Sequence, residues 1–494
     1  MLRAASAIRS SLFYTAKRPL DYAGIFHITD SEGSQSFFSG IQNSKIVRYH
    51  PDRGLSFYDS DVKPYFIFGG DATDRQHYDL TITQLLVDFK KQHPDKVFLL
   101  AGNREITKNR LKIELDPAYI RHRLLYSQSP RWLAQSTVPL DYVKADMAAK
   151  HYGDLNDPRV CLDYVKTLTI EQCQLIYLKW MLEKTMGCPH TFRYRREELQ
   201  RLLQRQHISD EEVLHSFIQA AAPEGVTGQY LQQAQIGVII PETRVLAVHG
   251  GLLAANIGRV PGMSASDKTI TNAEQWIQKL NQWYQTQIKQ WLTFKPAEVT
   301  IPACTELDEY ALPFAHKPKS VMTADLLGQG RQFAEVPEAV SQYLAANKIQ
   351  LVLTGHQPIG DHPAILRSKN ILFINGDTGY AKSDPKNPDD TRGVTTHTLD
   401  ILASPLTTQV DLKATLSDSS TVTTALTVTP DHIAGDPYIG RVTLDHQLVQ
   451  CRLANGDYRL IQQQGYQVSY ATLNKAAVEK IFDFQDQALK KATI

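Results

Sequence analysis

The sequence predicts an α/β protein whose strands deliver polar residues to one rim, interrupted by a long helical stretch and followed by a β-rich segment. Three observations predict this class. Several short apolar runs stop abruptly at carboxylates, amides or histidines, and open α/β sheets keep their ligand crevice beyond such strand ends. From about Leu111 to Gln235 the apolar residues recur at helical spacing. After Gly393 the chain alternates Thr, Val and Leu, as half-buried strands do.

Taken in order, residues 1–20 form a basic N-terminus with Arg3, Arg9, Lys17 and Arg18 and no acidic residue. That composition fits a flexible tail or an organellar transit peptide. Residues 21–110 are expected to form the first half of the main domain. Tyr22 to Ile28 is an apolar run ending at Asp30-Ser-Glu-Gly33, and Tyr65 to Phe68 is a second, ending at Gly69-Gly-Asp-Ala-Thr-Asp-Arg-Gln76. The glycines let the backbone turn there without a Cβ penalty. Taken alone, this second stretch also fits an aspartate-rich turn that caps the next helix. Leu80, Leu85, Leu86 and Phe89 mark a helix from Asp79 to Lys91, and the strand Val97 to Leu100 runs into Gly102-Asn-Arg-Glu105.

Residues 111–235 are expected as a helical insertion. Thr169 with Gln172, and Ser209 with Glu212, have capping-box spacing. Arg193, Arg195 and Arg196 read as a solvated helix face rather than a site for a phosphorylated partner. The sheet pattern returns over 236–400. Val245 to Val248 ends at His249-Gly-Gly-Leu252, a helix spans about Pro337 to Ala346, and Gln350 to Thr354 ends at Gly355-His-Gln357. Ile371 to Ile374 then runs into Asn375-Gly-Asp-Thr-Gly-Tyr380. Residues 401–494 read as a β-rich extension with an Asn455-Gly456 hairpin signal and a closing helix from about Asn474 to Lys490.

Composition excludes several classes. A formal net charge of +1 gives no warrant for nucleic-acid or membrane binding. Five scattered cysteines with no CxxC pair indicate neither a disulfide framework nor a zinc knuckle. No apolar run approaches the roughly twenty residues of a membrane span. The expected location is cytoplasmic, or mitochondrial or another organelle if residues 1–20 are a transit peptide.

The strand-end residues Asp30, Glu32, Asp71, Asn103, His249 and His356 form an oxygen and imidazole set suited to two divalent cations sharing one carboxylate. Paired cations clamp phosphate and lower the pKa of a bridging water. With the order Asp-x-x-Gly, Gly-Asp-x-x-Asp-Arg, Gly-Asn-x-Glu, His-Gly-Gly-Leu and His-Gln, the chain resembles the calcineurin-like metallophosphoesterase superfamily, in its phosphoprotein phosphatase-like branch. The resemblance covers roughly residues 21–110 and 240–400. It implies a two-sheet αββα sandwich, one cation between Asp30, Glu32 and Asp71, and another between Asp71, Asn103, His249 and His356. It also implies phosphate binding by Arg75 and, by looser matches, by Arg331 and Tyr380.

Two departures from the family pattern bear on the chemistry. Glu32 replaces a histidine ligand, and three carboxylates around one cation favour manganese or magnesium over zinc or iron. Arg104 replaces the histidine that the family uses with the aspartate matching Asp74, and an arginine is a poor general acid. The expected activity is therefore metal-dependent hydrolysis of phosphomonoesters, on phosphorylated proteins or small phosphoesters, with phosphotyrosine and aryl phosphates preferred. In that reading Arg104 pairs with Asp74 and stabilises the leaving oxygen. The alternatives are a degenerate phosphatase fold kept as a phosphate- or protein-binding module, and a nucleotidase or diphosphatase of the same fold.

Overall fold

The computed structural model describes residues 22–133, 135–264, 266–295, 305–312, 320–379, 395–465 and 467–492. The transit-peptide reading of residues 1–20 therefore lies outside the described residues, as does Tyr380. The strands are β1 (Ala23–Ile28), β2 (Val47–His50), β3 (Gly54–Phe57), β4 (Lys63–Phe68), β5 (Val97–Leu99), β6 (Gly237–Ile239), β7 (Val245–Val248), β8 (Leu351–Thr354), β9 (Ala364–Ser368) and β10 (Ile371–Asn375). They continue with β11 (Thr396–Ala403), β12 (Thr408–Thr415), β13 (Thr421–Val428), β14 (Ile433–Gly435), β15 (Gln447–Arg452), β16 (Tyr458–Gln464) and β17 (Gln467–Leu473).

Two sheets carry the architecture. The larger has the order β14-β13-β12-β11-β1-β4-β5, the smaller β6-β7-β8-β10-β9. Their site-bearing strands run parallel: β1 with β4 and β4 with β5 in one sheet, β7 with β8 and β8 with β10 in the other. Parallel strands send their carboxyl ends to one side, so the loops after β1, β4, β5, β7 and β8 share a rim. A bridge between Leu100 and Gln235 ties the β5 edge of one sheet to the β6 edge of the other.

Side-chain alternation builds the layers. Ile25, Tyr65 and Ile67 point from the larger sheet into a core shared with Val245, Ala247, Leu351, Leu353 and Ile374 of the smaller one. The residues between them, Phe26, Ile28, Phe66 and Phe68, turn outward onto Phe37, Ile82 and Leu86 of the covering helices. Each fully buried Leu, Ile or Phe contributes roughly 1.5–3 kcal/mol. Strands buried on both faces read as continuous apolar runs. The fold is thus the α/β two-sheet sandwich that the sequence predicts.

The helices between Ile120 and Gln233 have a separate core that includes Leu111, Leu124, Tyr164, Leu178, Trp180 and Phe217. Both expected capping boxes form. Gln172 N donates to Thr169 Oγ1 at 3.2 Å and Thr169 N to Gln172 Oε1 at 2.9 Å; Ser209 and Glu212 repeat the arrangement at 3.2 and 2.9 Å. One expectation fails here. Arg195 is not on a solvated face, since its side chain is 4% exposed and its guanidinium lies 3.6 Å from Asp79 and 3.8 Å from Glu198. Burial among acids explains this, and Arg193 at 61% keeps the solvated role.

Residues after Thr396 begin by extending the larger sheet, β11 pairing antiparallel with β1. The Asn455-Gly456 turn joins β15 to β16, with Gly456 at φ +92°. The closing helix, Lys475–Ala492, packs Phe482 against Tyr438 with ring centroids 5.9 Å apart. No helix among the described residues is long and apolar enough to cross a membrane.

Candidate metal and phosphate site

The loops that follow β1 and β4 are laced together by their backbones. Asp30 N donates to Gly70 O at 2.9 Å, Glu32 N to Asp71 O at 3.0 Å and Gly33 N to Ala72 O at 2.7 Å. Gly70 is at φ +101°, and a Cβ there would stand 2.7 Å from His249 Nδ1, so only glycine fits. Glu105 braces the next loop. Its carboxylate accepts from Asp71 N at 3.0 Å, Ala72 N at 2.5 Å and Gly102 N at 3.1 Å. Asp30, Glu32, Asp71, Asp74, Arg331 and His356 all have positive φ, a strained state for side-chain-bearing residues that concentrates at functional sites.

Four of the expected ligands converge. Asp71, His249 and His356 bring donor atoms within 4.8 Å of one another. Asn103 Oδ1 lies 2.9 Å from His356 Nδ1 and 3.3 Å from His249 Nε2. His249 Nε2 also lies 3.4 Å from Asp71 Oδ1. The outer nitrogen of His249, Nδ1, sits 2.7 Å from the Gly69 carbonyl and donates to it, so Nε2 is the nitrogen turned inward, free to ligate once its proton is displaced. Two imidazole nitrogens, a carboxylate and an amide oxygen facing one point form a donor set that fits a divalent cation.

Asp30 and Glu32 stand apart from that group. The Asp30 carboxylate accepts from His356 N at 2.9 and 3.0 Å and from Thr29 Oγ1 at 2.5 Å. Glu32 Oε1 lies 2.7 Å from Arg104 Nε and 3.1 Å from Arg75 Nε. The Arg104 Nε–H is not aligned for a hydrogen bond, so the contact is one of opposite charges in a shielded pocket. A divalent cation on Glu32 would face both guanidinium charges.

The expected Arg104–Asp74 pair is present but secondary. Arg104 Nη1 is 3.4 Å from Asp74 Oδ2, while Lys108 Nζ donates to the same oxygen at 2.6 Å. Arg331 reaches the site indirectly. Its Nη1 donates to Gln357 Oε1 at 2.6 Å, and the Gln357 amide lies 3.1 Å from His356 Nε2.

No family model matches the chain, and no curated protein matches it. Among solved structures, it is similar to a protein serine/threonine phosphatase from Saccharomyces cerevisiae described as resembling human phosphatase PP5. The two are 12% identical over 77% of this chain and 73% of that chain, with a TM-score of 0.30. A likeness that remote assigns no chemistry to this chain; its own side chains do.

The electrostatics divide the site. Burial alone would raise the Asp71 pKa, but the His249 imidazole, then Arg104, hold it far below the usual carboxylate range. Burial would lower His249, and Asp71 instead lifts it to about 10, so a proton sits where a cation would bind. Asp30 is raised well above its usual value by burial and by the Asp377 and Asp71 charges. Arg104, penalised by burial, is held protonated by Glu32, Asp74 and Asp71.

Sequence reasoning assigned no role to Glu105, Lys108 or Asp377. Glu105 and Asp377 lie inside stretches already singled out, and Lys108 follows Arg104 by one helical turn, which puts both on one face. His77 lies 3.9 Å from Glu197, and the His122 ring lies tilted by 46° against that of Tyr126 with centroids 4.8 Å apart, so both rings are engaged outside the ligand cluster.

Proposed function

We propose that this protein is a metal-dependent hydrolase of phosphomonoesters. The convergence of Asp71, Asn103, His249 and His356 beside the Arg75 and Arg104 guanidinium groups carries the reading. A divalent cation, manganese first and magnesium, zinc or iron as alternatives, would be held by those four residues and would supply positive charge to phosphate and acidify a water. Arg75 and Arg104 orient the phosphate oxygens through fork-shaped guanidinium groups. Arg331 and Tyr380 are proposed as outer phosphate contacts.

The leaving group sets the substrate. Arg104 keeps its proton, and Lys108 shares the Asp74 carboxylate with it, so neither acts as the acid that an alkyl leaving group needs. A phenol with pKa about 10 departs without protonation far more readily than an alcohol nearer to 16. Phosphotyrosine in proteins, or small aryl phosphates, are the proposed substrates. The test is kcat/KM for matched phosphotyrosine and phosphoserine peptides with Mn2+. At least tenfold preference for phosphotyrosine is expected, and equal rates would overturn the proposed specificity.

The ion pair between Glu32 and Arg104 supports a second reading, a module that binds phosphate without turning it over. Phosphopeptide binding without hydrolysis under any of the four metals would select it.

A further inference from the structure

We infer that this site takes one divalent cation and not two, because Glu32 and Arg104 are the two ends of a single ion pair. The inference rests on the metal reading above and adds the stoichiometry. Glu32 and Arg104 are the two departures from the family pattern that fall on a ligand and an acid position, and they stand 72 positions apart in the chain. The fold brings them to 2.7 Å, with side chains 10% and 12% exposed. A carboxylate at a position where a cation ligand is expected thus faces an arginine at a position where an acid is expected. One substitution neutralises the other.

Two further contacts oppose a second ion on this side of the rim, and a third holds the Asp30 carboxylate in place. Arg75 adds its charge to Glu32 from 3.1 Å. Arg104 Nε also lies 3.6 Å from Asp71 Oδ2, the carboxylate that a second ion would have to share. Both Asp30 oxygens accept from the His356 amide, and one of them also from Thr29. Among the described residues, the ligand-type side chains whose donor atoms gather within 4.8 Å are Asp71, His249 and His356. With Asn103 they make one complete coordination set on the opposite side of Asp71.

The experiment is titration of the metal-stripped full chain with Mn2+ alone, followed by native mass spectrometry and electron paramagnetic resonance. One ion per chain with the spectrum of isolated Mn2+ is expected. Two ions with an exchange-coupled spectrum would overturn the inference and leave the phosphatase reading standing. No bound ion would overturn both. Glu32→Gln gives a second readout, with Mn2+ affinity expected to stay within about threefold while His249→Ala loses a hundredfold or more. Equal losses in the two variants would restore Glu32 as a ligand and overturn the inference.

Discussion

The histidine side of the rim and its arginine side both bury carboxylates, yet they balance those charges with different kinds of partner. Asp71 faces His249, whose proton can be displaced. Glu32 and Asp74 face Arg75, Arg104 and Lys108, whose positive charges stay. A cation can enter only where the existing counter-charge can leave. On the proposed reading, the difference separates the side that takes the cation from a side already neutralised.

The largest effect that would break this comparison comes from removing the exchangeable partner. His249→Ala should abolish Mn2+ binding and cut turnover of an aryl phosphate at least a thousandfold, and Asp71→Asn should do the same. The check is a rate measurement with Mn2+ and with excess chelator. Unchanged activity of either variant in chelator would mean that the histidine side is not the metal side.

Other buried histidines sharpen the point: no carboxylate lifts His27 or His397, and Asp361 beside His362 does not offset its burial. Burial pushes His27 to about 3, His362 to about 4 and His397 to about 3, the last helped by its two histidine neighbours. These folded values lie below the unfolded value of about 6.5. The unfolded chain therefore binds more protons below pH 6.5, and stability that is full above that value is lost as pH falls through it toward 3 to 4. The loss should be on the order of 1 kcal/mol per histidine per pH unit. Urea midpoints at pH 7.5, 6.5 and 5.5 should fall progressively, and His397→Gln should flatten the slope.

On the arginine side, Lys108→Met should cost about 3 kcal/mol, the usual penalty for leaving one partner of a buried ion pair alone. Among the described residues, the basic partner left to Asp74 would be Arg104 at 3.4 Å. The double variant with Asp74→Asn should recover most of that loss. Chemical denaturation of the parent and the three variants measures it, and additivity of the two single effects would show that the pair does not interact.

This pair also marks where legibility ended. Asp71, His249 and His356 were readable because each follows an apolar strand, and the sequence states that juxtaposition locally. The partnership of Glu32 with Arg104 was not, since it depends on which strand ends become neighbours. The sequence instead suggested Arg104 with Asp74, a contact that exists at 3.4 Å but is weaker than that of Lys108 at 2.6 Å. Arg195 was misread for a related reason. A charged residue in a run of arginines looks solvated until Asp79 and Glu198 are packed against it. Helix starts fared better, because a capping box is complete within four residues.

The smallest effect is the most informative about chemistry. Arg104→His places a titratable group where the resemblance expects an acid, which would by itself bring phosphoserine turnover closer to that of phosphotyrosine. The structure limits the gain. Asp74, which would have to hold the new imidazole, already accepts from Lys108, and Glu32 keeps Arg75 at 3.1 Å. The new histidine would compete for a carboxylate that is already neutralised, so its pKa would rise little and its orientation would be poorly fixed. The phosphotyrosine to phosphoserine ratio of kcat/KM should therefore narrow by less than about tenfold in Arg104→His, the lower end of what a positioned acid supplies being about a hundredfold. Adding Lys108→Met releases Asp74 to the imidazole, and the ratio should then narrow further. If the single variant already closes the gap, Lys108 does not control Asp74; if neither variant changes it, proton donation does not set the substrate preference.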